Sequence, residues 1–485
     1  MTARTGEEYL EGLRNHPRDI WIEGEQVNDV TTHPAFARCA RSIAALYDMQ
    51  FDANSAKMTF PSPATGNPVG MSFLEPRTKT DLEERNEMML SWAKLSGGML
   101  GRTPDFLNVM VTAFGAAGGF FGQKNETFGE NITNYAHHVR DQDLSLTHTL
   151  VNVRKSKSSS PLLKGDDLGL RCVEETGKGI VVKGARVLAT LAAISDELLV
   201  LPSSATRTDP ESVNYALGFA LPCDTKGLRF LCREGLDLGR SFFDHPLGSR
   251  FDESDALVIF DDVLVPWERV FILKDVDLAN RHAAETGAGG HIRSQVIVKN
   301  IAKSQFILGL AALMTETLGT SETPHIQALA SELVVTHELM KACVTASVEN
   351  ATMNDWGLIT PDSTPLTAAR ATFAKGYPRA MEILQLLGSS SLMAIPTEAD
   401  FETEMGGFLE NYLGTDTLNG KQRTQLFRMA WDVACSSFGG RQGLYEKFFT
   451  GDPHRTASAI YSRYDKNEAK DSVLAILEAN TAKVK

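Results

Sequence analysis

The sequence predicts an α+β chain in three successive parts: a helical front over residues 1–145, a small all-β middle over 146–280, and a helical bundle with a C-terminal tail over 281–485. Three observations carry this. In the front, "ERNEMMLSWAKLSG" and "FLNVMVTAFGAAGGFFG" have helical spacing and helical length, with a loop, "FPSPATGNPVGMSF", ahead of them. In the middle, short β-branched runs such as "LSLTHTLVNV", "GIVVKGARVLAT", "ELLVLPSS" and "ALVIFDDVLVPWERVFI" are separated by turn residues, as in a barrel or sandwich. In the last part, "SQVIVKNIAKSQFILGLAALMTETLG" and "HIQALASELVVTHELMKACVTASVENATM" read as long bundle helices. A doubly wound sheet would instead alternate strands with helices and carry a glycine fingerprint after its first strand. The glycines of "GAAGGFFG" have the wrong spacing for one and read as close helix packing.

Composition narrows the function. The 485 residues are 42% hydrophobic and 22% charged with a net charge of −13, which suits a soluble globular chain and opposes a general nucleic-acid surface. No stretch reads as a membrane span, and the N-terminus lacks an apolar signal core, so a cytoplasmic location is expected. The six cysteines are scattered with no C-x-x-C pair, so no metal centre is expected and a reducing compartment fits. Walker A, H-E-x-x-H, G-x-S-x-G and EF-hand patterns are absent.

Candidate chemical groups fall at five places. In "GRTPDFLNVM", Arg102 precedes a helix-start signal in which Thr103 suits the cap and Pro104 the first turn, an arrangement that favours an anion. The plainer alternative pairs Arg102 with Asp105 or Glu75. In "LTHTLVNVRKSKS", His148 opens the β region and Arg154, Lys155 and Lys157 follow, either a phosphate or flavin site or a core histidine beside a basic loop. Thr190, Ser203 and Ser204 end strands, where hydroxyls serve turns or ligands. His291 and Gln295 share a helix face, and a histidine there either acts as a general base or pairs locally. Gly439 and Gly440, beside Arg441, either stop the preceding helix or allow close approach of a flat or phosphorylated cofactor.

Taken in order, "GEEYLEGLR", "VTTHPAF", "LYD", "GRTPDF", "LTHTLVNVRKSK", "GARVLATLAAISDELLVLPSS", "KSQFILGLA" and "FGGRQGLYE" resemble the oxygenase component of the 4-hydroxyphenylacetate 3-monooxygenase family, which includes chlorophenol and nitrophenol monooxygenases. The resemblance implies an acyl-CoA-dehydrogenase-like fold, with helical N-terminal domain, central β-barrel and C-terminal four-helix bundle, assembled as a homotetramer. It also implies reduced FAD, or FMN, supplied by a separate flavin reductase, and molecular oxygen that forms a C4a-hydroperoxide attacked by a phenolic ring. On the same basis Arg102 and His148 contact the phenolic oxygen. His148, Thr149, Leu150, Arg154, Lys155, Ser156, Lys157, Thr190, Phe438, Gly439, Gly440 and Arg441 line the flavin, and Ser203 and Ser204 receive a substrate carboxylate. Phe106 stands where the 4-hydroxyphenylacetate enzymes typically carry a tyrosine. His291 is the candidate base on the bundle, with Gln295 as its alternative. Rival readings are a 4-hydroxybutyryl-CoA dehydratase or acyl-CoA dehydrogenase on the same fold, and a non-catalytic helical scaffold. The dehydratase needs cysteine ligands for an iron–sulfur cluster; Gly98 and Arg102 stand near where a cysteine pair would be expected, and the chain has no C-x-x-x-C.

Overall fold

The computed structural model describes every residue except 1–2, 53–56, 154–167, 203–212, 237–238, 450 and 483–485. In the front, Gly6–Asn15 starts at a reciprocal cap between Thr5 and Glu8 and packs on Ala37–Asp48, where Tyr9 stacks on Tyr47 at 5.1 Å. Asp105–Ala116 is buried along nearly its whole length, because it is apolar all round and lies between Glu126–Gln142 and the bundle helix Ala288–Thr317. Gly115 permits this: a Cβ there would stand 2.5 Å from the Ala136 side chain. The close packing expected of these glycines is therefore present.

The middle forms two sheets. Four strands run Val270–Leu273, Leu217–Pro222, Glu197–Val200, Leu146–Thr149. The larger sheet runs Glu25–Val27, Asp19–Ile22, Leu228–Cys232, Asp255–Pro266, Gly179–Thr190, Val151–Asn152, with Arg171–Thr176 also paired to Gly179–Thr190. Side chains of the two sheets meet, as at Phe219 and Phe260, 6.2 Å apart edge to face. The front thus supplies two strands to the β region, with Asp19–Ile22 pairing parallel to Leu228–Cys232. The loop expected in "FPSPATGNPVGMSF" contains a small hairpin, Thr59–Pro61 with Pro68–Gly70.

Ala288–Thr317, Pro324–Glu349, Ser363–Gly388 and Gly420–Ala434 make the closing bundle. Contrary to expectation, Ala288–Thr317 is long and apolar enough to cross a membrane by length and composition; 61% of its apolar window is buried inside the protein. That apolarity is explained by its central place among the other helices.

Candidate active site

Arg102 sits in the turn before Asp105–Ala116. Its backbone N–H and that of Gly101 both donate to Glu253 Oε1, at 2.6 and 2.7 Å. Its guanidinium lies 4.0 Å above the Phe106 ring centroid and donates to the Tyr445 hydroxyl and, at 3.3 Å, to the Gly101 carbonyl. Neither expected acidic partner reaches it. Glu75 holds Arg77 at 2.5 Å, and Asp105 accepts from Gln295 Nε2 at 3.0 Å. Among the described residues the guanidinium meets no carboxylate. The helix start also differs: it begins at Asp105, without a side-chain cap from Thr103, whose carbonyl accepts the Phe106 N–H instead.

His148 lies on Leu146–Thr149, with its ring centroid 5.6 Å from that of Phe106. Burial, reinforced by the Arg102 charge, pushes its pKa down to about 3, so the ring is neutral. Arg102, Phe106 and His148 are therefore brought together from loop, helix and strand. Beside them, the Thr149 hydroxyl is buried without a partner.

A second group forms at the opposite face of Glu253. Arg441 donates to Glu253 Oε2 at 2.7 Å and to both oxygens of Asp255 at 3.0 and 3.1 Å, and Thr190 donates to Asp255 Oδ1 at 2.8 Å. Gly439 and Gly440 do not stop the preceding helix. They lie in the first turn of Ser437–Phe448, where Ser436 caps the Gly439 N–H, and Phe438 is buried. Nothing stands within 4 Å of a Cβ built on Gly440. Arg154, Lys155, Ser156, Lys157, Ser203 and Ser204 lie outside the described residues.

On the bundle side, His291 and Gln295 separate. His291 is fully buried with Nδ1 2.7 Å from Arg85, whereas Gln295 reaches Asp105. Burial raises Asp105 to about 6 against hydrogen bonds from Thr103 and Gln295.

Sequence reasoning missed Glu253, Asp255, Tyr445, Arg85 and Arg186. Arg186, buried on Gly179–Thr190, donates to the carbonyls of Leu150 and Leu201 at 2.9 and 2.7 Å. It also missed Glu446, whose Oε1 lies 2.6 Å from both Lys299 and Lys303 in the core. The signals available were the acidic "FDESD" run ahead of a strand and the i, i+4 spacing of Arg441 and Tyr445.

Residues 5–272 match the 4-hydroxyphenylacetate 3-hydroxylase N-terminal family model, and residues 279–478 match the C-terminal one. The chain belongs to the 4-hydroxyphenylacetate 3-hydroxylase family. Relatives in this family include the oxygenase components of 4-hydroxyphenylacetate 3-monooxygenase from Geobacillus sp. (strain PA-9), 44% identical over 98% of this chain and 97% of that one, and from Thermus thermophilus, 45% identical over 98% of each. A solved oxygenase component (HpaB) of 4-hydroxyphenylacetate 3-monooxygenase, complexed with FAD and 4-hydroxyphenylacetate, superposes with a TM-score of 0.95 at 45% identity over 100% of both chains. The family shares its fold with a 4-hydroxybutyryl-CoA dehydratase from N. maritimus, TM-score 0.88 at 20% identity over 99% of this chain and 95% of that one. The family backbone here excludes a side chain at Gly98: φ is +73°, and a Cβ would stand 2.6 Å from the Lys303 nitrogen. The described residues contain no group of three or more His, Cys, Asp or Glu placed to hold a metal ion.

Proposed function

We propose that this chain is the oxygenase component of a two-component monooxygenase that hydroxylates a phenol, 4-hydroxyphenylacetate or a close analogue, with reduced FAD delivered by a separate reductase. The observation that carries this is Arg102: a guanidinium with no carboxylate partner among the described residues, seated on Phe106 beside a neutral histidine. A free phenol ionises near pH 10, as tyrosine does, and a fixed cation lowers that value. Arg102 thus holds the phenolate oxygen. His148, neutral at physiological pH, contributes a ring nitrogen without adding a second cation. Phe106 offers the substrate an apolar face and no hydroxyl.

The residues present fit a flavin. The Thr149 hydroxyl is buried and unpartnered, and Gly440 leaves the first turn of Ser437–Phe448 open, where helix N–H groups favour an anionic edge. His148, Thr149, Leu150, Thr190 and Phe438–Arg441, together with Arg154, Lys155, Ser156 and Lys157, would hold it. Arg441 contributes there through Asp255 and Glu253, to which its guanidinium is committed. When bound, reduced flavin supplies the electrons that activate dioxygen for transfer of one oxygen atom to the ring. The protein excludes water and fixes the ring in position. Ser203 and Ser204 would receive a carboxylate tail. Two further features support the setting. Six free cysteines suit the cytoplasm. Exposed Val334, Val335, Leu339, Leu474 and Leu477 on the bundle and tail suit burial in a homotetramer.

Anaerobic titration of the purified chain with reduced FAD and FMN, followed by oxygen and a panel of phenols, tests the reading. Saturable binding of reduced flavin and a hydroxylated product are expected. Absence of reduced-flavin binding would sink it in favour of a scaffold.

A further inference from the structure

Tyr445 is buried on Ser437–Phe448, and its hydroxyl meets the turn that carries Arg102. The hydroxyl accepts from Arg102 Nη1 and donates to the Gly101 carbonyl at 3.1 Å, so both capacities of a protonated phenol are used. Burial holds it well above the ordinary tyrosine pKa against the pull of the Arg102 charge, so it keeps its proton. Gly101 admits the contact: a Cβ there would stand 2.5 Å from Tyr445 Cζ.

The rings add to the hold. Phe449, four residues on, stacks on Tyr445 with centroids 4.8 Å apart and planes 7° from parallel. The Arg102 guanidinium carbon lies 4.0 Å from the Phe106 centroid, 5.1 Å from that of Tyr445 and 5.3 Å from that of Phe449. Three rings and two oxygens thus restrain a side chain that would otherwise sample many rotamers, and that ordering precedes any ligand. The charged groups facing Tyr445 are Arg102, Glu253, Arg441 and Glu446, with Lys299 and Lys303 of Ala288–Thr317 at 5.3 and 5.8 Å from its centroid. Among the described residues only Arg102 of these bonds to the hydroxyl.

We propose that Tyr445 is a positioning residue that anchors the Arg102 guanidinium before substrate binds, so that the cation meets the phenolate already oriented. This deepens the proposed phenol-binding function and rests on it. Tyr445 acts through Arg102 and makes no contact of its own with the substrate.

Two measurements on the full-length chain test it. The first is a crystal structure of Tyr445→Phe, which removes the hydroxyl and keeps the ring; the Arg102 guanidinium should take up a second orientation. The second is the bound ionisation of 4-nitrophenol, whose phenolate is coloured, followed by difference absorbance against pH. Tyr445→Phe should raise the midpoint by about half a pH unit, about a three-fold loss of phenolate at fixed pH, because the rings and the Gly101 carbonyl keep part of the hold. Tyr445→Leu also loses the stacked ring and should raise it by about one unit. In an Arg102→Ala background Tyr445→Phe should move nothing further, whereas a loss unrelated to Arg102 would add to the shift. An unmoved guanidinium, equal midpoints for wild type and Tyr445→Phe, or an undiminished shift in the Arg102→Ala background would each overturn the proposal. Should Arg102→Ala bind no probe or Tyr445→Leu fail to fold, the crystal structure and midpoint of Tyr445→Phe decide alone. If the unmodified chain binds no 4-nitrophenol at any pH, the functional reading falls, and the crystal structure still decides whether Tyr445 positions Arg102.

Discussion

A guanidinium seated over a phenyl ring is held by the ring without losing its charge to a carboxylate, and this is how Phe106 presents Arg102. Arg102→Ala should raise the pH at which phenols bind by about one to two units, in line with the effect of one adjacent cation. Arg102→Lys, a point charge without the fork, should recover part of that shift, while reduced-flavin affinity changes little. Spectroscopic titration of a bound phenol across pH measures both; an unaltered profile for the alanine variant would place the phenol elsewhere. Arg102 and His148 were legible because each sits at a recognisable element boundary. Tyr445 and Glu253 were not, since their tie to Arg102 exists only once segments more than a hundred residues apart are folded together.

At the scale of elements, Ser437–Phe448 is fixed from both of its ends. A Cβ on Gly439 would stand 2.5 Å from the Val433 carbonyl oxygen, whereas one on Gly440 meets nothing within 4 Å. Gly439→Ala should therefore cost about 1–3 kcal/mol of stability by overpacking, and Gly440→Ala should be neutral or gain up to about 1 kcal/mol from helix propensity; paired thermal denaturation curves distinguish them. Near the other end, burial alone would push the Glu446 carboxyl up, but the Lys299 and Lys303 ammoniums pull it down to about 2. A depressed carboxylate pKa contributes stability that is present above about pH 4.5, the ordinary glutamate range, and is lost as pH falls toward the folded value. Glu446→Gln should cost about 3–5 kcal/mol at neutral pH, because it strands buried ammoniums, and should flatten stability against acid between about pH 4.5 and pH 2. Denaturant melts at several pH values check this. Helix periodicity made the long bundle helices legible, but not Ser437–Phe448, whose glycine pair read as a helix stop or a cofactor approach, because a helix end and the next helix start use the same small residues.

For the whole molecule, the order of helical front, β middle and helical bundle was readable because each texture persists over a hundred residues or more. The extension of the larger sheet by Asp19–Ile22 was not, since strand pairing at long range leaves no local pattern. The described strands form two larger sheets and two small two-stranded ones, with mainly antiparallel pairing and no doubly wound dinucleotide fold. The purified chain with free FAD should therefore leave NADH unoxidised and hydroxylate a phenol only once a reductase is added; rapid NADH loss at 340 nm with the chain alone would contradict it. The parallel pairing of Asp19–Ile22 with Leu228–Cys232 bears, finally, on how the protein is made. At about 5–20 residues per second on the ribosome, the front strand waits roughly 10 to 40 s for its neighbour to be synthesised. Throughout that interval the nascent front hairpin shows an open edge, the feature through which chains join to one another. Synthesis and assembly of this sheet thus run in different orders, and its front edge is the part of it that must wait longest for a partner.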